Sequence, residues 1–437
     1  MLHATSDRAW LAAMLTVEAA LTRVESRLQL IPAAAAESIV AACAPDRYDV
    51  GGIGFEAADS ANPVVPLVRA LKAEVVKEAA AFVHLGATSQ DILDSAMMLI
   101  AKNGLGLILQ DLDRAAEVAA TLAEKHRSTV MAARTLLQHA LPTTLGLKAA
   151  GWLTSIVEAR AEVDRVRRTQ LAVQFGGAAG TLASLGGRGL EVLKQLAAEL
   201  QLQEPVVPWH TQRARVVEVA NVLGIAAGVA AKIALDVILM AQTEVAEVAE
   251  ASREGKGGSS TLPQKQNPVE SVAILAAARG VSAQVGLLQQ AMLQEHERAA
   301  GAWQAEWPAL TEALRLAAGA VGRLPDLLSG LQVDKKRMRQ NLDAGGGLIM
   351  AESVVMALSK TMDAVKARQL VEQVVRASAS TGKAFAQSLN EDTEITSKLD
   401  EAALAAALQP ANYLGASEEL IDRALEAYNA IKRNGND

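Results

Sequence analysis

Cysteine is nearly absent: Cys43 is the only one in 437 residues. That excludes an intrachain disulfide and any cysteine-built zinc site. Histidine is also sparse. His3, His84, His126, His139, His210 and His296 show no HExxH or other ligand spacing, so no catalytic metal is expected. Aromatic residues make up only 3% of a chain that is 51% apolar. A large core is therefore affordable only in aliphatic side chains and alanine, which suits close helix packing. Strand-forming residues lack the alternation of a half-buried strand, and the chain reads as all-α. There is no excess of positive charge: the net charge is −7. The basic runs at Arg165–Arg168 and Lys335–Arg339 are short and isolated, so nucleic acid is not an expected partner.

A membrane span needs about 18–20 apolar residues. The run Val219–Ala231 is ended by Lys232 and Asp236, and Thr169–Gly187 is broken by five glycines. Both are expected to be helix or loop buried on most sides in a soluble bundle, with no membrane partner. The N-terminal stretch carries Asp7 and Arg8 and lacks a basic start and a cleavage site, so no signal peptide is expected and a cytoplasmic location follows.

What remains is long helical patterning. Medium helices with turns at "APDRYDVGG" and "ADSANPVVP" suggest an N-terminal helical domain, 1–104. Helical runs well beyond 25 residues suggest an elongated bundle over 105–344. A break at Gly345–Gly347 opens a smaller helical domain, 345–437. Polar passages lie between the long helices: "HLGATSQD" (84–91), "ARTLLQHALPTT" (133–144), "QFGGAAGTLASLGG" (174–187) and "PWHTQRAR" (208–215). The strangest is Gly255–Ser271, "GKGGSSTLPQKQNPVES". Its glycines permit positive φ. Asn267, Pro268 and Glu270 read as N-cap, first helical position and capping-box partner. A helix N-terminus favours anions, Lys256 and Lys265 add charge, and the whole reads as a lid over a carboxylate or phosphate. Gly176–Gly180 lacks a preceding strand and is not read as a nucleotide site.

"GSSTLPQKQNP" (258–268) resembles the signature loop of the fumarase/aspartase superfamily. "FVHLGATSQDILDSA", "RTLLQHALPTTLGLKAAG", "VQFGGAAGTLASLGG", "WHTQRARVVEVANVLG" and "PANYLGASEELIDRAL" are similar, in order, to its carboxymuconate cycloisomerase branch. The resemblance implies three α-helical domains and a homotetramer. The central helices of four copies would form one bundle, with each active site shared between subunits. It implies a small polycarboxylate substrate and no cofactor.

Residue by residue, the resemblance makes Ser259 the group that exchanges a proton with carbon. Lys265 and Asn267 would contact a substrate carboxylate, beside Ser260. Thr88, Ser89 and Gln90 would hold a second carboxylate. Gln212, Arg213 and Arg215 fit a further anion contact, Arg being suited to bidentate carboxylate binding. Glu297 and Arg298 match a segment beside the catalytic histidine, and His139 is the titratable candidate. For each there is a structural alternative: turn chemistry for Ser259, capping for Asn267 and Thr88, a buried hydrogen-bonded ring for His139. The sequence also departs from the family pattern. Leu136 stands where lyases carry a histidine, and Asn62 lies where adenylosuccinate lyases carry an Arg-His pair. Gln264, Gln266 and Gln304 replace potentially charged residues. The expected reaction is closure of 3-carboxy-cis,cis-muconate, or a 3-substituted analogue such as 3-sulfomuconate, to a lactone. A β-elimination lyase of the adenylosuccinate or argininosuccinate type and a non-catalytic helical scaffold are the alternatives.

Overall fold

A computed structural model describes residues 1–251 and 257–434. Helices α1 (Asp7–Arg27), α2 (Ala33–Ala42), α3 (Val50–Ser60) and α4 (Val64–Glu74) precede the long α5 (Ser89–Lys125). A hairpin, β1 (Val130–Thr135) and β2 (Gln138–Thr144), leads into α6 (Leu145–Thr169), α7 (Gly189–Leu200) and α8 (Ala214–Ala241). Then come β3 (Val248–Ala249), α9 (Val269–Gln290), α10 (Ala302–Ser329), β4 (Gln332–Val333) and α11 (Lys335–Asp343), followed by shorter helices to Asn434. The chain divides into two compact units. The first is Met1–Asp113, Glu158–Ala231 and Ala273–Leu324; the second is Arg114–Val157, Lys232–Val272 and Pro325–Asp437.

The first unit follows from its composition. At 1.5 Å per residue, α5 is about 55 Å long, and its inward face is Ala, Met, Leu and Ile. Small residues set the helix spacing. A Cβ on Gly104 would lie 2.9 Å from the Leu314 side chain, and one on Gly280 2.7 Å from Leu316, so glycine lets α5 and α9 each approach α10. The second unit contains a separate core of Val354, Leu358, Val371, Phe385, Leu389 and Ile395.

Two expectations need correction. Passage 133–144 is not a simple inter-helix loop. β1 and β2 pair antiparallel, joined by Leu136 and Leu137 at φ +50° and +64°. A two-residue turn with both φ positive matches strand twist, and β3 pairs with β4 in a second short ladder. The alternation rule missed these because the ladders are small and β2 is exposed at one end. The second correction concerns burial. By length and composition alone, α5, α8 and α9 could each cross a membrane. Within one chain 72% of the apolar window of α5 is buried, but only 44% for α8 and 28% for α9. The run Val219–Ala231 belongs to α8, so the expectation that it is buried on most sides is not met by a single chain.

The first unit also buries acid. Glu18 and Glu25 on α1 are 0% and 1% exposed. His84 Nδ1 lies 2.6 Å from Glu18 Oε1. Burial disfavours the charged ring, but Glu18 outweighs it and the His84 pKa rises. Neither carboxyl oxygen of Glu25 has a hydrogen-bond partner among the described residues. Burial first, and Glu18 second, push its pKa up to about 9. A raised carboxyl pKa means the fold prefers the neutral form. Stability is therefore unaffected below the unfolded value near 4.5 and is lost as pH climbs from there towards 9. Glu25→Gln removes the ionisation. It should raise stability by about 3 kcal/mol at pH 7, from 1.36 kcal/mol per pKa unit, and by little at pH 4. Urea melts at the two pH values check this. An equal gain at both would mean packing, not charge.

Candidate active site

The sequence candidates fall into two groups, one on each unit. In the first unit, the start of α5 presents Thr88, just before the helix, and Ser89, its first residue. Both are half-buried, and neither hydroxyl has a protein partner among the described residues. Asp91 fixes this helix start. Its Oδ2 accepts the Thr88 N–H at 3.0 Å and the Gly177 N–H at 2.8 Å. Its Oδ1 accepts the Gly176 N–H at 3.0 Å and meets His210 Nε2 at 2.7 Å. Thr88 therefore does take part in a cap, through its backbone, and the hydroxyl is left over. A Cβ on Gly176 would lie 2.7 Å from the His210 ring, so the Gly-rich passage packs against this buried network.

Gln90 and Arg213, both expected to touch substrate, are buried and bonded to the protein itself. Gln90 is 2% exposed. Its amide donates to Asp94 and to the His210 carbonyl and accepts from Arg298. Arg213 is 1% exposed and is clamped between Asp94 (2.7 and 3.0 Å) and Glu306. Burial alone would lower its pKa, but the two carboxylates outweigh that and the net shift is upward. Trp303 Nε1 completes Asp94 at 2.9 Å. The bidentate fork is present, but its anions belong to the protein. Arg215 donates to the Gln170 carbonyl; Gln212 and Glu297 are exposed. Arg298 donates to Gln90 Oε1 and to the Gly177 and Ala178 carbonyls. A guanidinium has five N–H donors, so two remain for a ligand. Burial lowers its pKa, with Asp91 and Asp94 opposing.

In the second unit, His139 lies on β2 opposite Arg134. It is exposed, not the buried hydrogen-bonded ring of the structural alternative. Arg134 meets the fully buried Glu247 through two bonds, at 2.6 and 3.0 Å, and Asn341 on α11 donates to the same carboxylate. The signature loop leaves β3 and enters α9. Gly255 and Lys256 lie outside the described residues. Ser259 is half-buried, and its Oγ accepts the Leu262 N–H at 3.0 Å and the Thr261 N–H at 3.3 Å. Ser260 and Lys265 are exposed.

The helix start differs from expectation. The helix begins at Val269, and the Val272 N–H bonds to the Pro268 carbonyl. The side chain that caps it is Glu250, not Asn267. Glu250 accepts from Glu270 N, Ser271 N and Ser271 Oγ at 3.0, 2.9 and 2.7 Å. The anion that a helix N-terminus attracts is thus supplied by the chain itself. The Asn267 backbone N–H instead closes a neck onto the Gly257 carbonyl at 2.8 Å. Glu250, Gly257, Gln266, Asn267 and Pro268 line a cleft of ≈ 800 Å³.

Sequence reasoning missed Asp94, His210, Glu306, Glu247 and Glu250, and took Asp91 only as the capping partner of Thr88. For Asp91 and Asp94 a signal existed. Gln90, Asp91 and Asp94 place three polar groups at i, i+1 and i+4 in an otherwise apolar run, which a buried helix tolerates only if they are partnered.

A lyase family model matches residues 1–286 and a model of the adenylosuccinate lyase C-terminus matches 347–424. The chain is 45% identical to a 3-carboxy-cis,cis-muconate cycloisomerase of Bradyrhizobium diazoefficiens over 98% of this chain and 95% of that one. It is 44% identical to a nitrosuccinate lyase of Streptomyces davaonensis over 97% and 91%. The crystal structure of 3-carboxy-cis,cis-muconate lactonizing enzyme from Pseudomonas putida superposes with a TM-score of 0.92 at 39% identity, covering 98% of this chain and 96% of that one.

Proposed function

The chain belongs to the lyase family of the fumarase/aspartase superfamily, and on that premise we propose that it closes 3-carboxy-cis,cis-muconate, or a close 3-substituted analogue, to a muconolactone. The observation that carries the chemistry is Ser259. Two backbone N–H groups point at its Oγ, which stabilises the alkoxide and leaves the hydroxyl proton free to be given away. One carboxylate oxygen of the substrate adds to a carbon of a double bond, and the electron pair moves to the carbon α to another carboxylate. That carbon takes the Ser259 proton, and water reprotonates the alkoxide. Ring closure is intramolecular, so the site has to orient the diene and deliver one proton. The free hydroxyls of Thr88 and Ser89, the two spare donors of Arg298, and Lys265 with Asn267 are the proposed carboxylate contacts.

A β-elimination runs the same step in reverse, with Ser259 removing a proton and a group departing from the β carbon. The 44% identity to a nitrosuccinate lyase favours keeping that second reading. No observation favours a scaffold without activity.

The proposed enzyme is a homotetramer whose active sites are shared between copies. The support is that α8 and α9 leave Ile225, Leu235, Val272 and Leu287 40–54% exposed, more aliphatic surface than two such helices leave bare without a partner. A solution mass of four chains is expected; a monomer with full activity would contradict it.

The 3-substituent is proposed to be read by Gln266. Gln264 and Gln266 are both exposed, but only Gln266 lines the cleft. An amide offers weaker donors than a guanidinium fork, so the site holds its substituent less by charge. Gln266→Arg should shift the kcat/KM ratio of 3-carboxy- over 3-sulfomuconate by at least about fivefold, about 1 kcal/mol. A ratio unchanged within about twofold would remove Gln266 from the account.

A further inference from the structure

The structure assigns Glu250 as the positioning residue that sets the catalytic serine, an inference that rests on the proposed role of Ser259. Three observations carry it. Glu250 is itself anchored through its neighbours. It directly follows β3, which pairs with β4 through Val248–Val333 and Ala249–Gln332. Glu247, three residues earlier, is buried and tethered by Arg134 and Asn341. Its carbonyl also accepts the Asp334 N–H.

From that fixed point the Glu250 carboxylate reaches across 20 and 21 residues of sequence to hold the first turn of α9, through Glu270 and Ser271. The segment 257–268 then runs back from that turn. Its neck is closed by the Asn267 N–H on the Gly257 carbonyl. Gly257 takes φ +76°, and a Cβ there would lie 2.9 Å from the Asn267 carbonyl oxygen. Ser259 sits two residues past this neck, with its hydroxyl in a turn of the same segment.

Among the described residues, the segment that carries Ser259 is closed at this neck, and the neck's exit is held by Glu250. Prepaid loop closure of this kind keeps a reacting group within the small tolerance that proton transfer demands. Glu250 does not touch substrate in this account. It occupies the helix end where a substrate carboxylate would otherwise settle, which leaves carboxylate binding to side chains.

The test is a double-mutant cycle in the full-length chain. Glu250→Ala and Glu250→Gln are measured alone and combined with Ser259→Ala, using 3-carboxy-cis,cis-muconate. Hydrogen exchange of the Glu270 and Ser271 amides is followed in parallel. Glu250→Ala is expected to lower kcat about a hundred-fold while KM stays within about threefold. Glu250→Gln keeps one acceptor oxygen and should recover about tenfold of that loss, and it serves alone if the alanine variant fails to fold. With Ser259 already absent, Glu250→Ala should cost less than about twofold, because its effect travels through the serine. Both amides should lose protection.

The same loss in both backgrounds, or a rise in KM with kcat kept, would overturn the assignment. If the wild-type protein turns over no muconate, the proposed reaction falls. The exchange result still decides the anchor: unchanged protection in Glu250→Ala refutes it.

Discussion

Ser259→Ala should lose at least about a hundred-fold in turnover, the usual size for a positioned proton-transfer group, while the protein unfolds at the same denaturant concentration. The two halves of this expectation have different origins. The rate falls because the loop hydroxyl that accepts two backbone N–H groups is removed, and a methyl group can neither donate a proton nor carry the resulting charge. Stability holds because Ser259 lies on a segment whose following residues, 260–266, are all exposed. The Thr261 and Leu262 N–H groups then turn to water, at a cost within about 0.5 kcal/mol, as for surface substitutions generally. Steady-state turnover and urea melts check the pair. Near-normal turnover would transfer the proton to Ser260 or to His139, both of which are exposed.

Arg213→Leu should destabilise the fold by about 3–5 kcal/mol, the range for removing one partner of a buried ion pair. Asp94 and Glu306 are both 0% exposed, and Arg213 is the cation between them. Leucine leaves two buried carboxylates without their cation, and among the described residues Gln90, Trp303 and Gln294 still donate to them. The Trp209 ring, 4.8 Å from the guanidinium, also loses its cation. Even with Arg213 present, burial raises the Glu306 pKa, the arginine opposing. Without it that pKa rises further, so the penalty grows as pH climbs above the ordinary carboxylate range and shrinks in acid. Urea melts between pH 5 and 8 measure the slope. The substrate-contact expectation gives the opposite pattern: an unchanged midpoint and a raised KM.

The all-helical class was legible because it rests on composition: few aromatics, much alanine and uncapped runs longer than 25 residues. The signature loop was legible because Ser, Lys, Asn and Pro in fixed order are rare in a helical chain. Its capping was not. Asn267-Pro268-x-Glu270 has the local grammar of a helix start, yet Glu250 takes the cap from 20 residues away, and no local rule sees that distance. The partners of Arg213 were hidden for a related reason. A sequence displays an arginine's capacity for carboxylates but not whether the carboxylates are its own. Glu306 lies 93 residues away from it. The hairpin escaped because its signal is two positive-φ leucines, residues that a turn rule does not favour.

The most direct measurement of the central claim is the ultraviolet absorbance of 3-carboxy-cis,cis-muconate mixed with the protein. Lactone closure breaks the conjugated diene, so the absorbance should fall to completion with wild-type protein and at least about a hundred-fold more slowly with Ser259→Ala. A diene that persists while nitrosuccinate is consumed under the same conditions would contradict the cycloisomerase and leave the β-elimination lyase.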